Sequence, residues 1–315
     1  MPATFSKAPA KTILFGEHAV VFGQPAIAIP VKSLITKVSI LANPVGKQDE
    51  IRIIAPGIDF DRLTYDLPQD NYFVIGLKLI KDYLQMTHYP ACEIRITSTI
   101  PIASGLGSSA SVAVSLIKAL FSFMGVSPGE ESINDLAYQL EKVSHGNSSG
   151  IDNTVITFEK PIYFIREKPV EFVRIKRNLT IIIGNTGKKS LTKDAVAFVR
   201  ERHESNHLKY NALIQEIGSI TRQARDHIEN GSIEKIGQKM TENHILLQEL
   251  GVSSPELDRL VSTAIRAGAT GAKLCGSGFG GNMVALVKEE NVDHIASSLC
   301  NEGATQTYTT TIRAD

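Results

Sequence analysis

The sequence predicts an α+β protein of one large or two closely packed domains, and three observations carry that prediction. The predicted elements run strands, helices, strands, helices, strand, without regular βαβ alternation. Residues 92–97 set Cys92, Ile94 and Ile96 against Glu93, Arg95 and Thr97, the period of a half-buried strand, whereas 110–124 repeats Val112, Leu116, Ala119, Leu120 and Phe123 at helical spacing. The length, 315 residues, exceeds the ~250–300 at which a single core stops growing.

In chain order, 12–15, 34–41 and 51–54 are rich in β-branched residues bounded by Gly, Pro and Asn and read as strands. With 92–97 they make the first third a strand region whose sheet is antiparallel or mixed. A glycine turn at 105–109 leads into the broadly apolar helix 110–124, expected to be buried. An amphipathic helix follows at 134–145, and 152–158 returns to strand character before Pro161 and Pro169. A soft boundary falls near 165–180. Beyond it come a strand at 180–183, one long charged helical pattern from Lys193 to about Ile228, and helices at 233–250 and 254–267. The last of these opens on Ser254 and Pro255 as cap and first-turn residues. Strands at 272–275 and 282–287, a helix from Asn291 and a strand at 307–312 complete the chain.

Composition narrows the function. Apolar residues make up 43% and charged residues 21%, the balance of a chain with a real core. Lys plus Arg and Asp plus Glu are 33 each, so there is no global basic field to hold nucleic acid or an anionic membrane. Cys92, Cys275 and Cys300 are odd in number and widely spaced, which suggests neither a zinc site nor a disulfide framework and fits a reducing cytoplasm. Neither a signal peptide nor an apolar membrane span is expected, so the chain reads as soluble and intracellular.

Three segments could carry chemistry. Pro101-Ile102-Ala103-Ser104-Gly105-Leu106-Gly107-Ser108-Ser109 lies between a strand and an apolar helix. Such a loop brings several N–H groups and a helix N-terminus to an anion, and its hydroxyls suit phosphate or Mg²⁺; its bland reading is a serine-capped turn. The stretch from Lys11 to Gly23 places Glu17 and His18 just after a glycine turn. Taken singly these are surface charges or satisfied polar groups. The third segment sets Glu141 at a helix end and Asp152 after the Gly/Ser/Asn turn 146–150, so that two carboxylates and a phosphate loop could converge, as phosphoryl transfer requires. Here the bland reading is an ordinary Asx turn. Two other glycine segments are misleading by letter. Residues 276–281 fit GxGxxG but run into a strand, and 184–190 have too few residues between the glycines for a P-loop.

Together and in this order, Gly16-Glu17-His18-Ala19-Val20-Val21, Gly105-Leu106-Gly107-Ser108-Ser109 and Lys273-Leu274-Cys275-Gly276-Ser277-Gly278-Phe279-Gly280-Gly281 resemble the three motifs of the GHMP kinase superfamily, over essentially the whole chain. The first motif, with His145-Gly146-Asn147-Ser148-Ser149-Gly150-Ile151-Asp152-Asn153, is most similar to the mevalonate kinases within it. The resemblance implies an α+β two-domain fold: an N-terminal ribosomal-protein-S5-like, ATP-binding domain over 1–170, with an unusual left-handed crossover, and a C-terminal ferredoxin-like domain over 171–315.

It further implies transfer of the ATP γ-phosphoryl group to the 5-hydroxyl of mevalonate. Asp152 would be base or orienting carboxylate and Lys11 its charge partner; a carboxylate beside an ammonium is a weak base, which favours positioning over proton abstraction. Ser109 and Glu141 would hold Mg²⁺, and the backbone of Gly105, Leu106, Gly107, Ser108 and Ser109 would wrap the phosphates. Glu17, His18, Gly276, Ser277 and Gly278 would serve the acceptor. The expected partner is a small-molecule substrate, with no nucleic acid, no membrane, and a homodimer as the assembly. Lys188, Lys189, Lys193 and Arg200 could meet the substrate carboxylate but read better as a solvated helix face.

Three positions depart from the family pattern. Ala103 and Phe279 stand for glycines and Ser148 for a proline, and the Phe279 ring would narrow the acceptor pocket or contact the nucleotide. Rival readings are a phosphomevalonate, homoserine or sugar kinase, a mevalonate 3-kinase or decarboxylase, or an inactive binding paralogue. The last is disfavoured because Asp152, Glu141 and the loop serines are all present.

Overall fold

The computed structural model describes residues 3–102, 104–145, 149–188 and 192–315. They form two compact units. The first holds residues up to Ala10, Leu34–Pro101 and Gly107–Glu159; the second holds Lys11–Ser33, Ile102–Leu106 and Lys160–Asp315.

The strands β1 (Ala3–Phe15) and β2 (Ala26–Ala42) contribute residues to both units. In the first unit the C-terminal half of β2 pairs antiparallel with β5 (Cys92–Ser98), β5 pairs parallel with β3 (Ile51–Ala55), and β3 pairs antiparallel with β4 (Phe60–Leu63). The sheet is therefore mixed. Its registers set Ile40 opposite Ile94, and Ile94 opposite Ile53, all buried, while Glu93 and Arg52 alternate outward from the same strands. That is the period-2 pattern read from the sequence.

Helices α1 (Tyr72–Tyr83), α2 (Ser108–Phe123), α3 (Glu130–His145) and α4 (Ile151–Phe158) complete this unit. Helix α2 is buried as expected, through Ala110, Ala113, Val114, Leu116, Ile117 and Leu120. Two sequence expectations need correction. Helix α1 interrupts the first third, which the sequence reads as strands and in which it predicts no helix: Asn71 caps it by accepting from the Phe73 N–H at 3.0 Å, and Gly76, Leu77 and Ile80 form its buried face. Segment 152–158 is helix, not strand, although five of the eight residues of α4 are β-branched. Gly150 sets its start with φ 85°, Asp152 lies in its first turn, and Thr154 satisfies its buried hydroxyl on the Gly150 carbonyl at 2.6 Å. Burial on almost every side removes the alternation on which a strand assignment depends.

In the second unit the N-terminal residues of β2 pair with β6 (Ile162–Phe164), which pairs with β7 (Glu171–Phe172). A separate antiparallel sheet has the order β11-β8-β10-β9, from β8 (Leu179–Asn185), β9 (Gly271–Cys275), β10 (Asn282–Val287) and β11 (Gln306–Ile312). The sequence pattern from Lys193 to Ile228 divides into α5 (Thr192–Ser205) and α6 (His207–Asn230), because Asn206 leaves helical geometry to cap α6, accepting from the Lys209 N–H at 3.1 Å. Helices α7 (Ile233–Leu250), α8 (Pro255–Arg266) and α9 (Val292–Asn301) follow.

The core of this unit joins Ile217, Leu247, Leu260 and Leu299 of the helices to Ile182, Leu274 and Ala285 of the sheet. Ala19 lies in the same core, which anchors the turn carrying Glu17 and His18. Among the described residues no helix is long and apolar enough to cross a membrane.

Candidate active site

In the first unit, Gly107 opens α2 in the left-handed region with φ 74° and offers no side chain to cap the first-turn amides. An uncapped helix start of this kind suits an anion. Ser109, one residue into the helix, donates its hydroxyl to Glu141 Oε1 at 2.6 Å, and Glu141 on α3 is only 4% exposed. Tyr72 joins them from the first residue of α1, its hydroxyl donating to the Ser109 carbonyl at 3.2 Å and to Glu141 Oε1 at 3.4 Å. Desolvation and the neighbouring Glu141 push the Tyr72 pKa well above its usual value, so it remains a phenol donor. A hydroxyl and a carboxylate in contact form a hard-oxygen donor pair that fits Mg²⁺. Asp152 sits half-buried in the first turn of α4, whose position is fixed by Asn153 donating to Asn134 Oδ1 on α3 at 2.6 Å.

In the second unit, Lys11 lies buried near the end of β1, and its backbone N–H donates to the Leu106 carbonyl at 3.0 Å. Gly16 ends that strand with φ 91°, and a Cβ there would lie 2.3 Å from the Pro25 carbonyl oxygen, so only glycine fits. Glu17 and His18 follow. Glu17 forms an ion pair with Lys273 of β9 in which both side chains are wholly buried, and Lys273 also donates to the Leu274 carbonyl at 2.7 Å. Burial raises the Glu17 pKa, opposed first by the Lys273 charge and more weakly by that of Lys11. His18 Nε2 bonds the Ser277 carbonyl at 3.0 Å, and burial lowers the His18 pKa to about 4. The imidazole is neutral at pH 7.

The third motif and the residue after it close on the loop 104–106 within the same unit. Asn282 donates to the Ser104 carbonyl at 2.6 Å, and a Cβ on Gly276 would lie 4.0 Å from the Gly105 carbonyl oxygen. Gly276, Gly278, Phe279, Gly280 and Gly281 all take positive φ. Phe279 does so at φ 58°, a backbone conformation that favours glycine, with its N–H on the Val252 carbonyl at 2.7 Å and its ring edge-on to Phe198 of α5 at 5.1 Å.

The structure therefore brings together Ser109 with Glu141, Lys11 with Leu106, Gly105 with Gly276, and His18 with Ser277. Gly107, Ser108, Ser109, Glu141 and Asp152 belong to the first unit, and Lys11, Glu17, His18, Gly105, Leu106, Gly276, Ser277 and Gly278 to the second. Lys188 is paired with Glu256 at 2.6 Å, and Lys193 and Arg200 are exposed on α5. Ala103, Ser148 and Lys189 lie outside the described residues. Sequence reasoning gave no role to Tyr72, Lys273 or Asn282. A lysine inside the apolar strand run Gly-Ala-Lys-Leu-Cys is a signal of a buried acidic partner.

Comparison with known proteins gives a consistent picture. The family described as GHMP kinases N terminal domain matches residues 71–160, and that described as GHMP kinases C terminal matches 224–305. A mevalonate kinase of Pyrococcus horikoshii is 37% identical over 301 residues, 89% of this chain and 88% of the relative. The crystal structure of the Methanococcus jannaschii mevalonate kinase superposes with a TM-score of 0.86 at 28% identity, covering 100% of this chain and 99% of the other. The L. major mevalonate kinase in complex with R-mevalonate gives 0.84 at 27% identity, covering 100% and 97%.

Proposed function

The chain belongs to the GHMP kinases, in their mevalonate kinase family, and from that premise we propose that it transfers the γ-phosphoryl group of ATP to the 5-hydroxyl of mevalonate. Its fold is the α+β two-domain GHMP kinase fold, with a mixed N-terminal sheet and a four-stranded antiparallel C-terminal sheet. The observation that carries the site assignment is the Ser109–Glu141 contact, which joins residues 32 apart in sequence at the start of α2.

The reaction asks for alignment and charge neutralisation more than for covalent chemistry. The backbone of Gly105, Leu106, Gly107, Ser108 and Ser109 cradles the phosphates. Ser109 and Glu141 would hold Mg²⁺, which neutralises charge on the β- and γ-phosphoryl oxygens when bound with ATP. Among the described residues no group of three or more His, Cys, Asp or Glu could hold a metal ion, so two protein donors would be completed by phosphate and water, the usual habit of Mg²⁺. Asp152 chiefly orients the acceptor hydroxyl, and as a weak base its carboxylate receives the proton only late, once the bond to phosphorus is forming and the hydroxyl has become acidic. Lys11 balances the negative charge that develops. Glu17, His18, Gly276, Ser277 and Gly278 serve the acceptor, His18 as a neutral imidazole.

The same proposal assigns residues 1–170 as the ATP-binding domain and 171–315 as the C-terminal domain, a division supported by one family match falling on each side of it. A cytoplasmic location rests on the cysteine pattern, and a homodimer on the resemblance; light scattering at micromolar concentration tests the dimer.

The decisive experiment measures ATP- and Mg²⁺-dependent ADP release with mevalonate, phosphomevalonate, homoserine and galactose in parallel, and reads the product by phosphorus NMR. Turnover of mevalonate to the 5-phosphate is expected. Turnover of another acceptor, or a 3-phosphate product, would overturn the substrate assignment while leaving the fold in place.

A further inference from the structure

Glu17 and His18 are neighbours in sequence, and each is tied to a different point of the third motif. Glu17 is bound by the Lys273 ammonium and His18 by the Ser277 carbonyl, four residues further on. All of these groups belong to the second unit, and Glu17, His18 and Lys273 are 1%, 6% and 0% exposed. The result is a two-point clasp.

Stability is a poor explanation for the Glu17–Lys273 half of the clasp. Desolvating two charges costs about as much as their attraction returns, and apolar replacements of such pairs are often neutral or stabilising. This pair is not optimised for stability either, because Glu17 Oε2 is buried without a hydrogen-bond partner among the described residues. What the pair does fix is geometry. His18 takes φ 60° and ψ −45°, a backbone conformation that costs a non-glycine residue about 1–3 kcal/mol and persists only where the surroundings over-determine it. Lys273 adds to that determination through the adjacent Glu17, alongside the buried Ala19 that anchors the turn. The bond to a carbonyl requires His18 Nε2 to carry the proton, which leaves Nδ1 as an acceptor for a hydroxyl. The nearby Lys273 charge further disfavours a second proton on the ring.

We propose that Lys273 is a positioning residue, acting through Glu17 to hold His18 in one neutral tautomer on Ser277 so that Nδ1 accepts from a hydroxyl of the acceptor substrate. The proposal rests on the reading of Glu17, His18 and residues 276–278 as the acceptor side.

The test uses the full-length protein labelled with nitrogen-15 at histidine, with the His18 signals identified by their loss in His18→Gln. Two variants are compared with wild type: the double variant Lys273→Met with Glu17→Gln, which removes both charges together, and Glu17→Asp, which keeps both charges but shortens the reach. Wild type should show a single Nε2–H tautomer of His18 from pH 5.5 to 8. Both variants should show averaged tautomers, with KM for mevalonate raised about tenfold and KM for ATP within about twofold. Wild-type nitrogen shifts and wild-type KM for mevalonate in the double variant would overturn the proposal. If the double variant does not fold, the same result in Glu17→Asp overturns it. The NMR readout needs no turnover. A wild type with a locked tautomer but no activity on mevalonate would therefore overturn the acceptor assignment, whereas an active wild type with an unlocked His18 would overturn the clasp alone.

Discussion

Ser109 Oγ donates to Glu141 Oε1 at 2.6 Å, so that the start of one helix and the buried end of another meet in a single polar contact. With Tyr72 donating to the same carboxylate oxygen at 3.4 Å, the Glu141 carboxylate is approached from α1 and α2 while it is carried by α3. Two substitutions grade the contacts. Ser109→Ala removes a hydroxyl bonded to a charged group and a donor for Mg²⁺, and should lower kcat/KM for ATP by at least about tenfold. Tyr72→Phe removes a longer bond worth about 1 kcal/mol and should cost about fivefold. Steady-state kinetics at saturating mevalonate checks both; equal effects would show that Ser109 acts only through packing.

Two buried histidines make stability depend on pH. Burial holds His18 and His244 at about 4, against 6.5 for an ordinary imidazole. His244 accepts the Leu274 N–H on Nδ1 at 3.3 Å, which favours its neutral form, while Asp258, 3.3 Å from Nε2, opposes burial and only partly offsets it. Between the two pKa values the unfolded chain binds more protons than the folded one, so stability is full above about pH 6.5 and falls as pH drops through 4. Each group contributes up to about 3 kcal/mol. Glu17, with its raised pKa, acts in the opposite sense. The clean comparison is therefore between wild type and His18→Gln, in which Glu17 is common: the variant should lose less thermal stability between pH 7.5 and 5.

Most of the fold was legible because the two periodicities are well separated in this sequence. Strand β10 falls on the predicted 282–287, and α7 on 233–250. The failures occur where burial or a single cap overrides the pattern. In α4, buried residues, polar and apolar alike, cover nearly every face and no alternation survives; at Asn206 one capping side chain divides what reads as a continuous helix. Of the site, the residue types were legible as motifs, whereas the roles of Tyr72 and of Lys273, which opens the third motif, were not. Their significance lies in partners 69 and 256 residues distant, and no local spacing encodes such a pairing.

Gly16→Ala should be among the most damaging single-methyl substitutions in the protein. The added Cβ would meet the Pro25 carbonyl oxygen at 2.3 Å and the Ala26 Cα at 2.6 Å, both backbone atoms that cannot swing aside, and φ 91° is itself unfavourable to alanine. The left-handed penalty and the overpacking together come to about 2–5 kcal/mol. Chemical unfolding measures the loss, and a change under about 1 kcal/mol would show that the turn can relax.

Phe279→Gly sets two effects of similar size against each other. Glycine relieves about 1–2 kcal/mol of left-handed strain at φ 58°, and loss of the partly buried ring with its edge contact on Phe198 at 5.1 Å costs about 2 kcal/mol. Net stability should stay within about 1 kcal/mol of wild type. If the ring narrows the acceptor pocket, the ratio of kcat/KM for phosphomevalonate to that for mevalonate should rise in the variant; an unchanged ratio would assign Phe279 to the contact with α5 alone.

Asp152→Asn separates alignment from folding. Asp152 is half-buried in the first turn of α4, where a carboxylate favours the helix start, and its position depends on neighbours that the substitution leaves untouched: the Gly150 turn, the Thr154 hydroxyl on Gly150 and the Asn153–Asn134 bond. Asparagine preserves the shape of the side chain and removes its charge and its ability to take a proton. The variant should therefore fold and bind ATP with little change. If Asp152 orients the acceptor hydroxyl and receives its proton, kcat should fall by about 100-fold or more. ATP titration by calorimetry and single-turnover transfer to mevalonate measure the two halves of the prediction, and turnover within about threefold of wild type would remove Asp152 from the mechanism. A variant that neither binds ATP nor turns over would instead show that the carboxylate is needed to form the site before any acceptor arrives.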